Sequence, residues 1–183
     1  MESRSSTYKN LSYGKIATPI GNMVALASEN EIVMLLFEEE AFEFLDKVRQ
    51  FKNWDISESR NDLILKLKLQ LDNYFKGEQS NFDLPTDLQG TLFQKQVWHS
   101  VQQIPYGATN TYKDISLKIG SIESIRAVAA ANARNNILLL IPCHRVIGSG
   151  NKLTGYRGGV EKKRWLIEHE RENSDIKYNN QLF

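Results

Sequence analysis

Cysteine is nearly absent from this sequence, since the 183 residues contain a single one, Cys143. A lone thiol excludes an internal disulfide and a zinc site built on several thiolates. Long apolar runs are missing as well: the two longest, residues 32–37 and 137–141, are far shorter than the roughly 18 residues of a membrane-spanning helix. The opening segment MESRSSTYKN lacks the apolar core of a secretory signal. We therefore expect a cytoplasmic protein without membrane attachment.

The composition is that of a folded protein with an uneven charge distribution. Hydrophobic residues make up 41% and charged residues 25% of the chain, which is ordinary for a globular protein of one or two domains. The formal net charge is only +1, but residues 1–94 contain 10 Lys or Arg against 15 Asp or Glu, whereas residues 95–171 contain 12 against 5. A basic half favours a polyanionic partner such as nucleic acid. A solvated basic face without a partner is the alternative that charge alone leaves open.

The N-terminal half alternates between strand and helix signals. Apolar segments separated by turn residues predict an antiparallel meander over residues 13–18, 21–28 and 32–37. Apolar residues three and four apart then predict two helices, over residues 41–52 and 61–75. The stretch over residues 77–90 holds two glycines, Pro85 and several Asp and Asn residues without a helical period, so we expect the domain boundary within it.

The C-terminal half carries stronger helix signals. A capping box at residues 91–94 begins a helix that Pro105 stops, and a weaker box at residues 111–114 begins a short helix that ends at Gly120. A third helix is predicted over residues 122–133. The last two helices match a helix-turn-helix, whose second helix would contact DNA.

The predicted second helix of this motif is rich in alanine and carries Arg126 near its start. Small side chains let a helix axis approach its target closely, and Arg126 would project from that smooth surface. The alternative is an alanine-rich helix that packs tightly on a neighbouring helix and never touches DNA.

The single cysteine is followed directly by a histidine, in the segment ILLLIPCHRVI of residues 137–147. The apolar run predicts a buried strand or extended segment, which Pro142 ends just before the thiol. Successive side chains of an extended segment point in opposite directions, so His144 would act on Cys143 through a water molecule. The pair can also be purely structural, with Cys143 as a small core residue and His144 at the surface.

A buried thiol needs help to ionise, because apolar surroundings raise its pKa. His144, Arg145 or a helix N-terminus is a candidate source of that help. The helix predicted over residues 160–170 ends with Glu168 and Glu170, either of which can accept the second imidazole N–H and fix the tautomer of His144.

Taken together, several segments resemble the O6-alkylguanine-DNA alkyltransferases, the methylated-DNA protein-cysteine methyltransferases. These segments are Tyr112, RAV at residues 126–128 with Asn135, IPCHRVIG at 141–148, LTGYRGG at 153–159 and KRWLIEHE at 163–170. The resemblance is strong over residues 91–171, whereas the N-terminal half is similar only in layout.

The fold that the resemblance implies is an α/β (α+β) protein of two domains. A ribonuclease-H-like N-terminal domain would occupy residues 1–88. A mainly helical alkyltransferase domain of the helix-turn-helix, winged-helix-like type would occupy residues 89–172, followed by a polar tail over residues 173–183.

The activity that the resemblance implies is direct repair of O6-alkylguanine in DNA, mainly O6-methylguanine. The damaged base would be flipped out of the duplex, and its alkyl group would pass irreversibly to Cys143, once per molecule. His144 would act as the base through water, oriented by Glu170. Tyr112 would assist base rotation and protonate the leaving guanine, and Asn135 would link the helix-turn-helix to the site. Activity on O4-methylthymine and the range of alkyl groups stay open.

The same resemblance implies a DNA interface and a base pocket. Arg126 would fill the space of the flipped base, and Tyr112 would lie beside it. The other expected DNA contacts are Ala127, Arg134 and Lys113, and the expected pocket residues are Tyr156, Arg157, Gly158 and Val146. Three residues depart from the family pattern: Ala129, Asn136 and Arg157. Arg157, at the pocket rim, bears most directly on which alkyl groups fit.

Double-stranded DNA is the expected partner of a monomeric protein that uses no cofactor and no metal. A nucleotide fingerprint such as GxGxxG is absent, as are the cysteines and histidines with which some members bind zinc in the N-terminal domain. The basic residues 162–164 are interpreted as solvated phosphate contacts, with a nuclear address as the weaker alternative. Two rival functions stay open on the residues alone: a helix-turn-helix regulator with an inert thiol, and a cysteine-dependent hydrolase.

Overall fold

The N-terminal half is built on a four-stranded sheet. The computed structural model describes residues 10–51, 54–120 and 125–174. The strands are β1 (Asn10–Ile16), β2 (Met23–Ala27), β3 (Ile32–Phe37) and β4 (Asp55–Glu58), in the order β3-β2-β1-β4. Antiparallel pairing of β1 with β2 and of β2 with β3 confirms the predicted meander. The parallel edge strand β4 was not predicted, because its sequence DISE has one apolar residue and no alternation to follow.

Two helices accompany the sheet, as expected. Helix α1 (Glu38–Phe51) begins with three glutamates, which interact favourably with the positive end of the helix dipole. Helix α2 (Asp62–Phe75) begins at Asn61, whose side chain accepts hydrogen bonds from two backbone N–H groups of the first turn. The buried face of α2 repeats at three and four residues and ends with Tyr74, so the helix carries this tyrosine into the core at its last turn.

The C-terminal half is mainly helical, with α3 (Leu92–Gln102), α4 (Tyr112–Lys118), α5 (Ile125–Ala133) and α6 (Val160–Glu172). Both predicted capping boxes are present, at the starts of α3 and α4. The predicted start of the third helix at residue 122 lies outside the described residues. Helices α4 and α5 contact each other, and the indole N–H of Trp98 on α3 donates to the carbonyl of Ala131 on α5 at 2.9 Å.

The strand predicted over residues 137–141 is wrong. Ile137 pairs with Leu35 on the outer edge of β3 in an isolated bridge, and the chain then turns tightly, so that Leu138 and Ile141 form a bridge with each other. Leu139 has a φ of 70°, and the N–H of Ile141 bonds back to the carbonyl of Ile137 at 3.0 Å. Burial rather than pairing therefore explains the apolar run, which fills the space between the sheet and the helices.

Short elements complete the C-terminal half. A 3₁₀-helix over Cys143–Arg145 leads into β6 (Val146–Ile147), which pairs in parallel with β5 (Asn110–Thr111). A second 3₁₀-turn, Ser149–Asn151, follows before the loop that precedes α6. In the part of the chain that the structure describes, no helix is both long and apolar enough to cross a membrane.

Candidate active site

Cys143 lies buried at the first position of the 3₁₀-helix, directly after Pro142. Asn135, just beyond the end of α5, braces this corner: its Nδ2 lies 2.9 Å from the carbonyl oxygen of Ile141 and 3.2 Å from Cys143 Sγ. Its Oδ1 accepts the N–H of Ile137 at 2.8 Å. Asn132 on α5 also contacts the corner, since its Nδ2 lies 3.3 Å from the Cys143 carbonyl oxygen. One face of α5 thus holds the thiol and the turn that carries it.

The thiol resists ionisation in this environment. Burial raises the pKa of Cys143 to about 11, although the Asn135 hydrogen bond and the charges of Lys163 and Arg157 act in the opposite direction. At neutral pH the thiolate is therefore a small minority, on the order of one molecule in ten thousand. A nucleophilic role for Cys143 requires a group that removes its proton as the reaction proceeds.

His144 is fully buried and bonds to Glu170, so the alternative of a surface histidine is wrong. Nε2 lies 2.8 Å from Oε1 of Glu170. An ionised carboxylate only accepts hydrogen bonds, so Nε2 carries the proton and Nδ1 keeps a free lone pair. Nδ1 is buried without a hydrogen-bond partner among the described residues. Burial lowers the pKa of His144 against the raising influence of Glu170, which favours the neutral imidazole.

The relation between Cys143 and His144 differs from the one that an extended segment predicts. The two residues lie in a 3₁₀-helix, where successive side chains are separated by about 120° rather than by a half turn. Their side chains still do not form a direct hydrogen bond, because Nε2 is engaged by Glu170 and Nδ1 has no partner within the described ranges. A water molecule between Sγ and Nδ1 remains the geometry that we expect for proton transfer.

Glu170, rather than the exposed Glu168, is the acidic residue at the site. Its Oε2 accepts from Arg145 Nε at 2.9 Å and from the Gly107 N–H at 3.1 Å, and its Oε1 accepts from Arg145 Nη2 at 2.9 Å. Burial opposes ionisation, but His144 and Arg145 together hold the pKa of Glu170 well below its usual range. Arg145 is thereby committed to Glu170 and is not a direct partner of the thiol.

A cavity of about 410 Å³ opens next to the thiol. Its walls come from α4, from the small-residue face of α5 and from the loop before α6. The lining residues are Tyr112, Ala129, Asn132, Ala133, Cys143, Thr154, Gly155, Tyr156 and Arg157. Burial raises the pKa of Tyr112, so its hydroxyl keeps its proton at neutral pH. The cavity therefore combines a thiol and a phenol with a mainly apolar lining.

Two expected pocket residues do not line this cavity. Val146 belongs to β6 and is completely buried behind the site. Gly158 is turned toward the N-terminal half, where a Cβ atom would collide with the Phe37 ring. Its role is to let the loop approach β3 closely, which no larger residue at this position allows.

Lys163 contacts the site and is not the solvated phosphate contact that its place in a basic cluster predicts. It is fully buried, and its Nζ donates to the carbonyl oxygens of Val146 at 2.6 Å, Thr154 at 2.8 Å and Gly155 at 3.2 Å. Burial lowers the pKa of Lys163 to about 8. The helical spacing offered a signal: Lys163 lies three and seven residues before Leu166 and Glu170, on the buried face of α6.

Arg157 stands at the rim of the cavity and bonds to another residue that departs from the family pattern. Its Nη1 donates to the side-chain oxygen of Asn136 and to the main-chain oxygen of Asn135, the latter at 3.3 Å. Half-burial lowers the pKa of Arg157, but a guanidinium keeps its proton in proteins. These hydrogen bonds hold the Arg157 guanidinium close to Asn135, whose side chain contacts the thiol.

Four of the five residues expected to bind DNA are exposed, and Tyr112 is partly buried. Arg126 and Ala127 are exposed on α5, and Arg134 is exposed just after it. Lys113 is exposed on α4, next to the partly buried Tyr112. Helix α5 therefore carries Arg126 on its outer face while Asn132 on its inner face contacts the thiol corner.

Comparison with known protein families defines the class of this two-domain protein. Residues 11–88 match the family model described as the 6-O-methylguanine DNA methyltransferase ribonuclease-like domain, and residues 92–172 match the DNA binding domain of the same methyltransferases. The α/β fold with an N-terminal sheet and a helical second half agrees with both.

Individual relatives make the assignment specific. The chain is 38% identical over 160 residues to the constitutive methylated-DNA–protein-cysteine methyltransferase of Bacillus subtilis, covering 87% of this chain and 94% of that protein. The crystal structure of Mycobacterium tuberculosis OGT in complex with DNA is similar with a TM-score of 0.75 and 36% identity, covering 89% of this chain and 94% of that one. The chain belongs to the 6-O-methylguanine DNA methyltransferase family, the O6-alkylguanine-DNA alkyltransferases.

Proposed function

We propose that this protein repairs O6-alkylguanine in DNA by transferring the alkyl group to its own Cys143. The observation that carries the proposal is the position of one buried thiol between a cavity and a buried His144–Glu170 pair. The thiol lines the cavity that would hold the substrate, and His144 lies next to it as the base, which is the arrangement that nucleophilic substitution by sulfur at an alkyl carbon needs. Membership of the family and the M. tuberculosis relative with DNA bound support the choice of substrate.

The chemical step exchanges one bond for another. A bond forms between Sγ and the alkyl carbon while the bond from that carbon to guanine O6 breaks. The thiol proton passes through water to Nδ1 of His144, and the charge on the imidazolium is balanced by Glu170. The departing guanine takes a proton from the Tyr112 hydroxyl, which solvent restores. Asn135 holds the sulfur in place from the side of α5.

Base flipping gives a role to the exposed residues of α4 and α5. Extrusion of a base from duplex DNA costs a few kcal/mol and leaves a gap in the stack. Arg126 projects from α5 where it can enter that gap, with Ala127 close to the groove, while Lys113 and Arg134 neutralise phosphates. Tyr112 assists rotation of the nucleotide, and Tyr156 with Arg157 covers the flipped base in the cavity.

Alkylation of Cys143 inactivates the protein irreversibly. A thioether has no ready leaving group, and the chain has no second thiol that could displace the alkyl group. The protein therefore acts once, without a cofactor, on the duplex that itself supplies the alkyl group. A reactive free thiol requires a reducing compartment, which supports a cytoplasmic location. The division into domains over residues 1–88 and 89–172, with a tail over residues 173–183 that lies outside the described residues beyond Ser174, is part of the same proposal.

Intact-mass measurement tests the proposal. The protein is incubated with a duplex that contains O6-methylguanine and weighed with and without DNA. We expect one methyl group per molecule, absent in Cys143→Ser, while Cys143→Ser still binds the duplex. DNA binding without methylation would favour a regulator with an inert thiol, and multiple turnover on esters without DNA would favour a hydrolase. Methylation of Cys143→Ser would contradict the assignment of the acceptor.

A further inference from the structure

The relay is contacted from the N-terminal half of the protein by Tyr74. This tyrosine lies on the last turn of α2, and its hydroxyl is 2.8 Å from Oε1 of Glu170. The same oxygen accepts the Nε2 proton of His144 at 2.8 Å. Tyr74 and Glu170 are each 1% exposed, so the contact is shielded from solvent. With Arg145 Nη2 at 2.9 Å, three donors share this carboxylate oxygen, and Tyr74 is the one that comes from the N-terminal half.

Helix α6 holds Tyr74 at two points with consecutive residues. Nε2 of His169 lies 2.9 Å from the main-chain oxygen of Tyr74, while the next residue, Glu170, receives the hydroxyl. The Tyr74 ring also packs edge-on against Tyr106, with ring centroids 5.9 Å apart. The phenol is fixed at its backbone, its ring and its hydroxyl, so its direction toward Oε1 is built into the packing.

The direction of the hydrogen bond follows from protonation. Burial and the charge of Glu170 raise the pKa of Tyr74 well above its ordinary value, so the phenol stays protonated. The carboxylate can only accept, and Tyr74 therefore donates. A donor on Oε1 spreads part of the negative charge of Glu170, which leaves less of that charge for the imidazole.

We propose that Tyr74 is a positioning residue of the alkyl-transfer relay, through which the N-terminal half fixes Glu170 and limits its pull on His144. This inference rests on the function proposed above. Its consequence is that His144 stays neutral at rest, with Nδ1 ready to take the thiol proton. The N-terminal half thereby contributes to the chemistry without touching the substrate.

The groups around His144 set the direction of the expected effect. Burial, Arg145 and Lys163 lower its pKa, and Glu170 raises it. Tyr156 faces the imidazole edge-on at a centroid distance of 6.4 Å. Removal of the Tyr74 hydroxyl leaves more negative charge on Oε1 of Glu170. It therefore strengthens only the influence that raises the pKa of His144. The pKa of His144 should then move upward.

The test compares two tyrosines that differ in one contact. Tyr74→Phe removes the hydroxyl that donates to Glu170. Tyr106→Phe removes a buried hydroxyl that has no hydrogen-bond partner within the described ranges. The Tyr106 ring packs on Tyr74, so the two variants change neighbouring positions. Single-turnover methyl transfer from an O6-methylguanine duplex is measured from about pH 5 to 9. For Tyr74→Phe we expect the acid limb to move up by about half a pH unit and the plateau rate to fall about three- to tenfold. Tyr106→Phe should keep the unmodified profile.

A second measurement separates this inference from the proposed function. The imidazole of His144 is titrated by NMR in the unmodified protein and in Tyr74→Phe, with folding checked by thermal melting. An upward shift of the His144 pKa supports the inference even if no methyl transfer occurs, a result that would overturn only the proposed function. A lower melting temperature with an unchanged titration and pH profile would make Tyr74 a purely structural contact and overturn the inference.

Discussion

Arg145 and Glu170 form a buried bidentate ion pair, with Nε of the arginine 2.9 Å from Oε2 and Nη2 2.9 Å from Oε1. A paired guanidinium and carboxylate tolerate burial only together, since removal of one partner leaves an uncompensated charge. Because His144 bonds to the same carboxylate, the pair that stabilises the fold also orients the imidazole that we propose as the base. Stability and chemistry are therefore coupled at Glu170.

Glu170→Gln should affect both properties. The variant leaves Arg145 buried without its counter-charge, so the free energy of unfolding should fall by about 3–5 kcal/mol. The imidazole also becomes a weaker base with a lower pKa, so transfer should slow by up to about 10² to 10⁴-fold and the acid limb of its pH profile should move to lower pH. Denaturant unfolding and single-turnover rates below the melting temperature measure the two effects. Glu168→Gln, on the exposed face of the same helix, is the control, and full activity of Glu170→Gln would remove the carboxylate from the relay.

His144→Ala should make the reaction depend on spontaneous ionisation of the thiol. The pKa of Cys143 is raised to about 11, so the thiolate fraction grows about tenfold for each pH unit below that value. We expect a low rate at neutral pH that rises steadily through pH 9, whereas the unmodified protein reaches a plateau earlier. A plateau at the same pH in both proteins would show that another group removes the thiol proton.

Local signals in the sequence predicted most of the fold. The capping boxes at residues 91–94 and 111–114 and the amphipathic period of α2 depend on neighbours within one or two turns, and the structure confirms them. The strand predicted at residues 137–141 failed because periodicity cannot distinguish a buried strand from a buried turn. Burial of this segment against β3, about a hundred residues away in the chain, decides its conformation, and no local pattern contains that contact.

The site was predictable where chemistry is carried by adjacent or motif residues and not where it depends on distant packing. His144 and Glu170 meet as expected. The sequence did not predict Tyr74 as a partner of Glu170, since Tyr74 lies on the last turn of an ordinary amphipathic helix in the N-terminal half. The prediction for Lys163 was wrong because a lysine within a basic cluster is normally solvated. In the structure, three carbonyl oxygens around its ammonium group compensate for its burial.

Lys163→Met should impair the site while Lys162→Met does not. The first variant keeps the apolar stem but removes three hydrogen bonds and the positive charge that lowers the pKa of Cys143. Lys162 lies instead over the Phe37 ring, 4.2 Å from its centroid, and makes a matched control. We expect the thiol pKa to rise and transfer at neutral pH to fall about tenfold in Lys163→Met, as measured by pH-dependent reaction with free O6-benzylguanine. Equal effects of both variants would point to a general loss of charge.

Arg126→Ala should separate base flipping from chemistry. Arg126 is exposed on α5 and does not line the cavity, so its loss should slow repair in duplex DNA far more than reaction with free O6-benzylguanine, which needs no extrusion. Lys113→Ala and Arg134→Ala should instead weaken binding to all sequences and reduce the salt dependence by about one ion each. An equal loss on both substrates would place Arg126 in the chemistry or the fold.

Arg157→Ala should widen the range of alkyl groups that the cavity accepts. The guanidinium stands at the cavity rim, braced by Asn136, so its removal opens space beside Cys143. It also removes a charge that lowers the pKa of Cys143, which should slow methyl transfer a few-fold. We therefore expect the ratio of O6-benzylguanine to O6-methylguanine rates, measured in duplex DNA, to rise about tenfold. Asn136→Ala removes a hydrogen bond that holds Arg157 in place but keeps the positive charge of the guanidinium. It should therefore raise the same ratio by a smaller factor without slowing methyl transfer. If both variants leave the ratio unchanged, Arg157 does not limit the size of the alkyl group, and the limit must come from the walls formed by Tyr156 and α5.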